Sequence, residues 1–239
     1  NSLAAAVAES TGAGMVLKYC QIGPADWFYE THVTRRYYVR WECPPTWNTP
    51  SYAHNYLVAE PGTPADPRPV DVALHCWGGN MNEGYGWWYE ANHGALLVAT
   101  NQIPYDWWTA FHDNNWTIKP WTHVEGNAGG VCRNYTQKRI WSFLDNFVAT
   151  RWNLDRNHIL VSGNSMGGSG SVAWGIRAGD KFSYIDSWVG VHIPRLSPGF
   201  KDSYALQYGQ NSWACLYEDT SLSVWDYWDD NQWLRSHVT

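Results

Sequence analysis

A serine stands between two glycines in "HILVSGNSMGGSGS", residues 158–171, directly after an apolar run. Gly163-Asn164-Ser165-Met166-Gly167 matches G-x-S-x-G. That spacing suits a sharp strand-to-helix turn which exposes one hydroxyl as a nucleophile for acyl transfer. Only small neighbours tolerate such a bend, because larger side chains would collide with the strand and helix it joins. A plainer reading makes Ser165 a bystander in a glycine-rich turn. An anion-cradling loop is a related alternative, but the chain has no GxxxxGK[ST] sequence. The motif also follows the fifth expected strand, whereas a dinucleotide fingerprint follows the first strand of its unit.

Acyl transfer also needs N–H donors where negative charge develops on the carbonyl oxygen; losing one can cost about 3–4 kcal/mol. Met166 would offer its backbone N–H at the start of a helix. A second donor is expected from the segment after the third strand, His75-Cys76-Trp77-Gly78-Gly79-Asn80. Two separated segments that fit one constellation carry more weight than either alone.

The elements that would position these groups can be read from pattern. Residues 34–41 and 52–59 are rich in β-branched and aromatic residues and read as two early strands in a hairpin-like arrangement. Four prolines make 60–69 a loop. Strands are expected at 70–76, 94–100, 158–163 and 184–192, with helices at 82–93, 130–152 and 166–180. Residues 101–129 are irregular and aromatic, and Trp107, Trp108, Phe111, Trp116 and Trp121 are expected to border a cleft. Strand–helix alternation after residue 70 predicts an α/β class, with a mostly parallel sheet and helices on both faces. No linker or repeat divides the chain, so residues 1–239 read as one domain.

Composition bounds the function. The 239 residues carry a net charge of −6 and five lysines, which argues against a nucleic-acid surface. No apolar run reaches the roughly 20 residues of a membrane span. Eighteen tryptophans and fifteen tyrosines either pack the core or line a cleft for sugar, phenolic or polymer groups. Cys20, Cys43, Cys76, Cys132 and Cys215 contain no CxxC pair, so zinc and thioredoxin-like readings are weak and no metal or cofactor is called for. Asn115 and Asn134 head glycosylation triplets, which also arise by chance. Low lysine, high tryptophan and possible disulfides lean towards an extracytoplasmic setting.

On these motifs the chain resembles the α/β-hydrolase superfamily, especially secreted esterases related to polyhydroxybutyrate depolymerases and feruloyl or acetylxylan esterases. "VALHCWGGN" looks like that group's strand and HG-x-G-G oxyanion loop, and "HILVSGNSMGGSGS" like its nucleophile elbow. The resemblance spans roughly residues 34–235. It implies Ser165 as nucleophile, backbone N–H groups of Met166 and Trp77, with Gly78 beside it, as the oxyanion site, and a small-molecule or polymeric ester as substrate. Cys76 departs from the group's usual glycine.

The superfamily order is Ser, then Asp or Glu, then His. Six strands are expected before the chain turns irregular at Ile193, so the acid and histidine are expected beyond Thr239 and the chain reads as a fragment. Within it, His192 is the candidate base, at the edge of the sheet where the elbow lies; otherwise it is a hydrogen-bonded histidine lining the cleft. His75 reads as a support for its loop. His237 lies too close behind Asp226, Asp229 and Asp230, which read as helix-end or surface charges. Two rivals to an esterase are a prolyl-oligopeptidase-type peptidase and a non-catalytic binder of glycans or polymers. A lectin built only of strands conflicts with the helical pattern at 130–152.

Overall fold

The computed structural model describes residues 15–26, 29–48, 52–83, 93–103, 105–113 and 130–237. Seven strands form the central sheet: β1 (Met15–Asp26), β2 (Tyr29–Glu42), β3 (Tyr52–Pro61), β4 (Arg68–Leu74), β5 (Leu96–Thr100), β8 (Leu154–Asn164) and β9 (Tyr184–Trp188). Their spatial order is β1-β2-β3-β5-β4-β8-β9. β5, β4, β8 and β9 run parallel, whereas β3 is antiparallel to both of its neighbours. The expected early hairpin is present, with Val33 opposite Pro61 and Glu42 opposite Tyr52. β1, which the sequence patterning did not reveal, pairs antiparallel with β2.

Both faces of the central strands are buried, as parallel sheets require. On one face Val70, Val72, Leu74, Val98 and Val161 form the main core. Two helices cover it, α1 (Tyr135–Asn146) and α2 (Met166–Arg177). Tyr56 stacks on Phe143 of α1 at 4.2 Å, and Trp141 of α1 meets Trp174 of α2 edge-on at 5.4 Å. The other face carries Tyr37, Leu57, Ala59, Ala73, Leu97 and Ala99. The helix expected at 82–93 lies almost wholly outside the described residues.

Two boundaries in particular differ from expectation. The helical segment begins at Tyr135 rather than Gly130, because Asn134 caps it by accepting from the Gln137 N–H at 3.0 Å. Residues Val131–Arg133 instead form β7, the middle strand of a small sheet with β6 (Phe111–His112) and β10 (Leu216–Tyr217). That capping role buries Asn134, which removes it as a glycan acceptor; Asn115 lies outside the described residues. The strand expected at 184–192 stops at Trp188, where Val189 turns to φ 50°.

Beyond β9 the chain folds into α3 (Lys201–Tyr208), α4 (Val224–Tyr227) and α5 (Asp230–His237). Arg177 anchors the last two to α2. Its guanidinium lies 4.6 Å from the Trp228 ring and 5.0 Å from that of Trp233, and it pairs with Asp230 at 2.7 Å. Among the described residues no helix is long and apolar enough to cross a membrane.

Candidate active site

β8 delivers the apolar run Ile159-Leu160-Val161 into the sheet and ends at Asn164, and α2 starts at Met166. Ser165 lies between them with φ 55° and ψ −111°. A residue with a side chain adopts such a conformation at a cost of about 1–3 kcal/mol, so the surroundings must hold it there. They do so through the backbone. The Ser165 N–H donates to the Trp188 carbonyl at 2.7 Å, and the Ser165 carbonyl accepts from the Ser169 N–H at 2.9 Å and its hydroxyl at 3.1 Å. The glycines on either side are sterically required. A side chain on Gly163 would strike the Gly167 backbone, and one on Gly167 would strike the Leu74 carbonyl.

That second contact joins the elbow to the end of β4. There His75 is buried and both of its ring nitrogens are engaged. Nε2 accepts from the Gln102 N–H at 2.8 Å, so Nδ1 carries the proton and donates to the Cys76 carbonyl at 2.7 Å. Burial holds its pKa below the ordinary value, consistent with a neutral ring. His75 therefore supports the loop, as expected, and has no nitrogen left for general-base chemistry. Gln102 is itself held by buried Arg139 of α1 at 2.5 Å. The Gly79 N–H closes a turn onto the Cys76 carbonyl at 3.0 Å, with Gly78 at φ +78°. A positive φ at the third position of a turn is the conformation that selects glycine. Cys76, the departure from the HG pattern, donates its thiol hydrogen to Glu83 at 3.3 Å, so the turn accommodates the side chain.

Trp77 protrudes from this turn with 43% of its surface exposed. Its ring lies 4.9 Å from that of Tyr105 and 5.9 Å from that of Trp107. Trp107, Trp108 and Phe111, expected to border a cleft, are buried. Trp107 and Trp108 form the packed support beneath Trp77 and its turn, because the loop folds inward, whereas Phe111 packs with Trp47 and Tyr135. Trp116 and Trp121 lie outside the described residues.

The backbone of this support is strained in a way no spacing announced. Trp107 and Trp108 take φ 59° and 61° in succession. Asp106 holds them there, accepting from the Trp108 N–H at 2.9 Å and from the Thr136 hydroxyl at 2.5 Å. Burial pushes the Asp106 carboxyl up to about 7, against the opposing pull of those two hydrogen bonds. The one available signal was Asp before two bulky residues, since Asp side chains cap their own backbone two residues on.

His192 lies in the segment after β9, next to Val191, whose N–H donates to the Ser169 hydroxyl at 2.7 Å. Its Nδ1 faces Asp230 at 3.3 Å, and the Asp230 N–H donates to the His192 carbonyl at 3.0 Å. Asp230 opens α5, at a helix end as expected, but is buried rather than at the surface, and Arg177 pairs with it. Asp226 pairs with Arg195 at 2.5 Å, and buried Asp229 lies 3.4 Å from the same side chain. His237 stacks on Trp233 at 3.7 Å at the end of α5. No hydrogen bond joins the Ser165 hydroxyl to a histidine among the described residues.

The fold is shared with solved structures of low sequence identity. S-formylglutathione hydrolase from Agrobacterium tumefaciens superposes with a TM-score of 0.55 at 11% identity, covering 93% of this chain and 76% of its own. FphF, a fluorophosphonate-binding serine hydrolase of Staphylococcus aureus, gives 0.53 at 16% identity, covering 84% and 72%. S-formylglutathione hydrolase (FrmB) from Staphylococcus aureus gives 0.52 at 16%, covering 84% and 75%. No curated protein matches the sequence. The family model described as "Putative esterase" matches residues 31–238. The chain thus belongs to the Esterase family and is an ester hydrolase with the α/β-hydrolase fold.

Proposed function

We propose that ester cleavage proceeds through an acyl-enzyme on Ser165. The observation that carries this is the Ser165 backbone, held at φ 55° at the start of α2 while Gly167 packs against the Leu74 carbonyl. The strain lifts the hydroxyl off the strand end, and the glycine contact sets the His75–Gly79 turn beside it. The Ser165 oxygen attacks the ester carbonyl as a base takes its proton. The Met166 N–H, in the helix first turn where backbone donors lack intrahelical partners, stabilises the oxyanion together with the N–H groups of Trp77 and Gly78. The alcohol leaves, and water then releases the acid.

His192 is the base candidate in this reading. A base must be oriented by a third group, and buried Asp230 holds Nδ1, leaving Nε2 of a ring that is 44% exposed. The order Ser165, His192, Asp230 differs from the superfamily's. Exposed Trp77 and Phe200, both packed against Trp107, offer flat apolar surface, which supports aryl, sugar-linked or polyester substrates. The low-lysine, tryptophan-rich composition supports an extracytoplasmic setting.

The test is labelling with a fluorophosphonate probe followed by peptide mapping. The adduct is expected on Ser165 and absent from the Ser165→Ala variant. Labelling of another serine, or undiminished ester turnover by Ser165→Ala, would overturn the assignment.

A further inference from the structure

The geometry points to Trp108 as a positioning residue for ester hydrolysis: its indole N–H fixes the oxyanion turn relative to the nucleophile elbow. This rests on the reading of Ser165 given above. Trp108 is completely buried. Its Nε1–H donates to the His75 carbonyl at 3.0 Å, at the point where β4 passes into the Cys76–Gly79 turn. Its ring also meets that of His75 edge-on at 4.9 Å. On its other side the Trp108 Cβ presses against Gly170 of α2, where any side chain would collide with it. One residue thus touches both the turn and the helix that carries Ser165.

Trp108 is itself clamped. Asp106 accepts its N–H, and the Gln137 side chain of α1 donates to its carbonyl at 2.7 Å. The φ of 61° places the indole where it spans turn and helix, a conformation disfavoured for a bulky residue and sustained by those contacts. A merely packed tryptophan needs neither a left-handed backbone nor a hydrogen bond to the loop that offers the oxyanion donors. Trp108 touches no reacting atom. It acts through the placement of the Trp77 and Gly78 N–H groups, which matter most when charge develops on the substrate oxygen.

Trp108→Phe keeps a ring against Gly170 and removes the indole N–H. The expected result on p-nitrophenyl acetate is a fall in kcat of about 10- to 100-fold with KM changed less than twofold, since misplacement of about 1 Å can cost 100-fold. Affinity for a boronic acid, which mimics the tetrahedral adduct, falls in parallel, while affinity for the product acid does not. Gly170→Ala displaces the same indole from the helix side and is expected to give the same split, which keeps the idea testable if Trp108→Phe is insoluble. Unchanged kcat, or KM and kcat altered together with product affinity, would overturn it. Ser165→Ala assayed alongside separates the two readings. An active Ser165→Ala ends the nucleophile assignment, whereas an inactive Ser165→Ala beside a fully active Trp108→Phe ends this inference alone.

Discussion

Gly167 lies so close to the Leu74 carbonyl that no side chain fits between them. This one contact sets α2, which follows Ser165, against the strand end that leads into the Cys76–Gly79 turn. Gly167→Ala must push α2 away from β4. The expected outcome is a loss of about 1–3 kcal/mol in urea unfolding and a fall in kcat of more than tenfold. Near-wild-type values for both would show that the contact is slack.

Ser165 should reveal a trade between stability and activity. Ser165→Gly removes the side chain that makes φ 55° costly. The variant should gain about 1 kcal/mol of stability and lose turnover by a factor on the order of 10⁶. Denaturant melts and p-nitrophenyl acetate hydrolysis measure the two effects. A less stable glycine variant would mean that the bend is unstrained.

His192→Gln tests the base. With Asp230 holding the ring, the substitution should lower kcat about 10⁴-fold or more while the unfolding midpoint shifts little, because the ring is half exposed. Retained activity would move the base to another residue.

Trp77 is an exposed aromatic on the turn after β4. Trp77→Ala should raise KM for aryl esters about 10-fold, in line with the loss of one ring contact, and leave KM for short acetate esters nearly unchanged. The check is a comparison of naphthyl and methyl esters. Equal effects on both would place Trp77 outside the acyl and alcohol subsites.

Asp106 should make stability depend on pH. Its folded carboxyl is raised by burial to about 7, so between the ordinary carboxylate range and that value the folded chain holds a proton which the unfolded chain has lost. The folded state binds more protons there, so this contribution is full at low pH and is lost as pH rises towards 7. Relative to Asp106→Asn, wild-type stability should fall by up to about 1.4 kcal/mol per pH unit over that window and level off above it. Parallel slopes for the two proteins from pH 4 to 7 would contradict a buried protonated carboxyl.

The two turns of the candidate site were legible in the sequence because their constraints are local. Gly163, Ser165 and Gly167 are spaced for a bend that excludes larger neighbours, and the glycines at 78 and 79 mark the turn after β4. Strand–helix alternation reported the parallel sheet for a similar reason, since each element's burial pattern is written in its own residues. Asn134 shows where local reading stopped short. Periodic apolar residues ran on through Val131, and the pairing of β7 with β6 and β10, together with the Asn134 cap, decided that the helix starts later.

What the sequence determined by itself was the spacing of the Gly163–Gly167 bend, the glycine turn after β4 and the class of fold. What the tertiary structure decided was which aromatic residues are support and which are surface, that Asp230 is buried beside Arg177 and His192, and that Trp107 and Trp108 turn left-handed over Asp106. Those outcomes depend on groups far apart in the chain. Burial, carboxyl protonation and backbone strain are set by whatever packs against a residue, and spacing along a single segment carries no record of that.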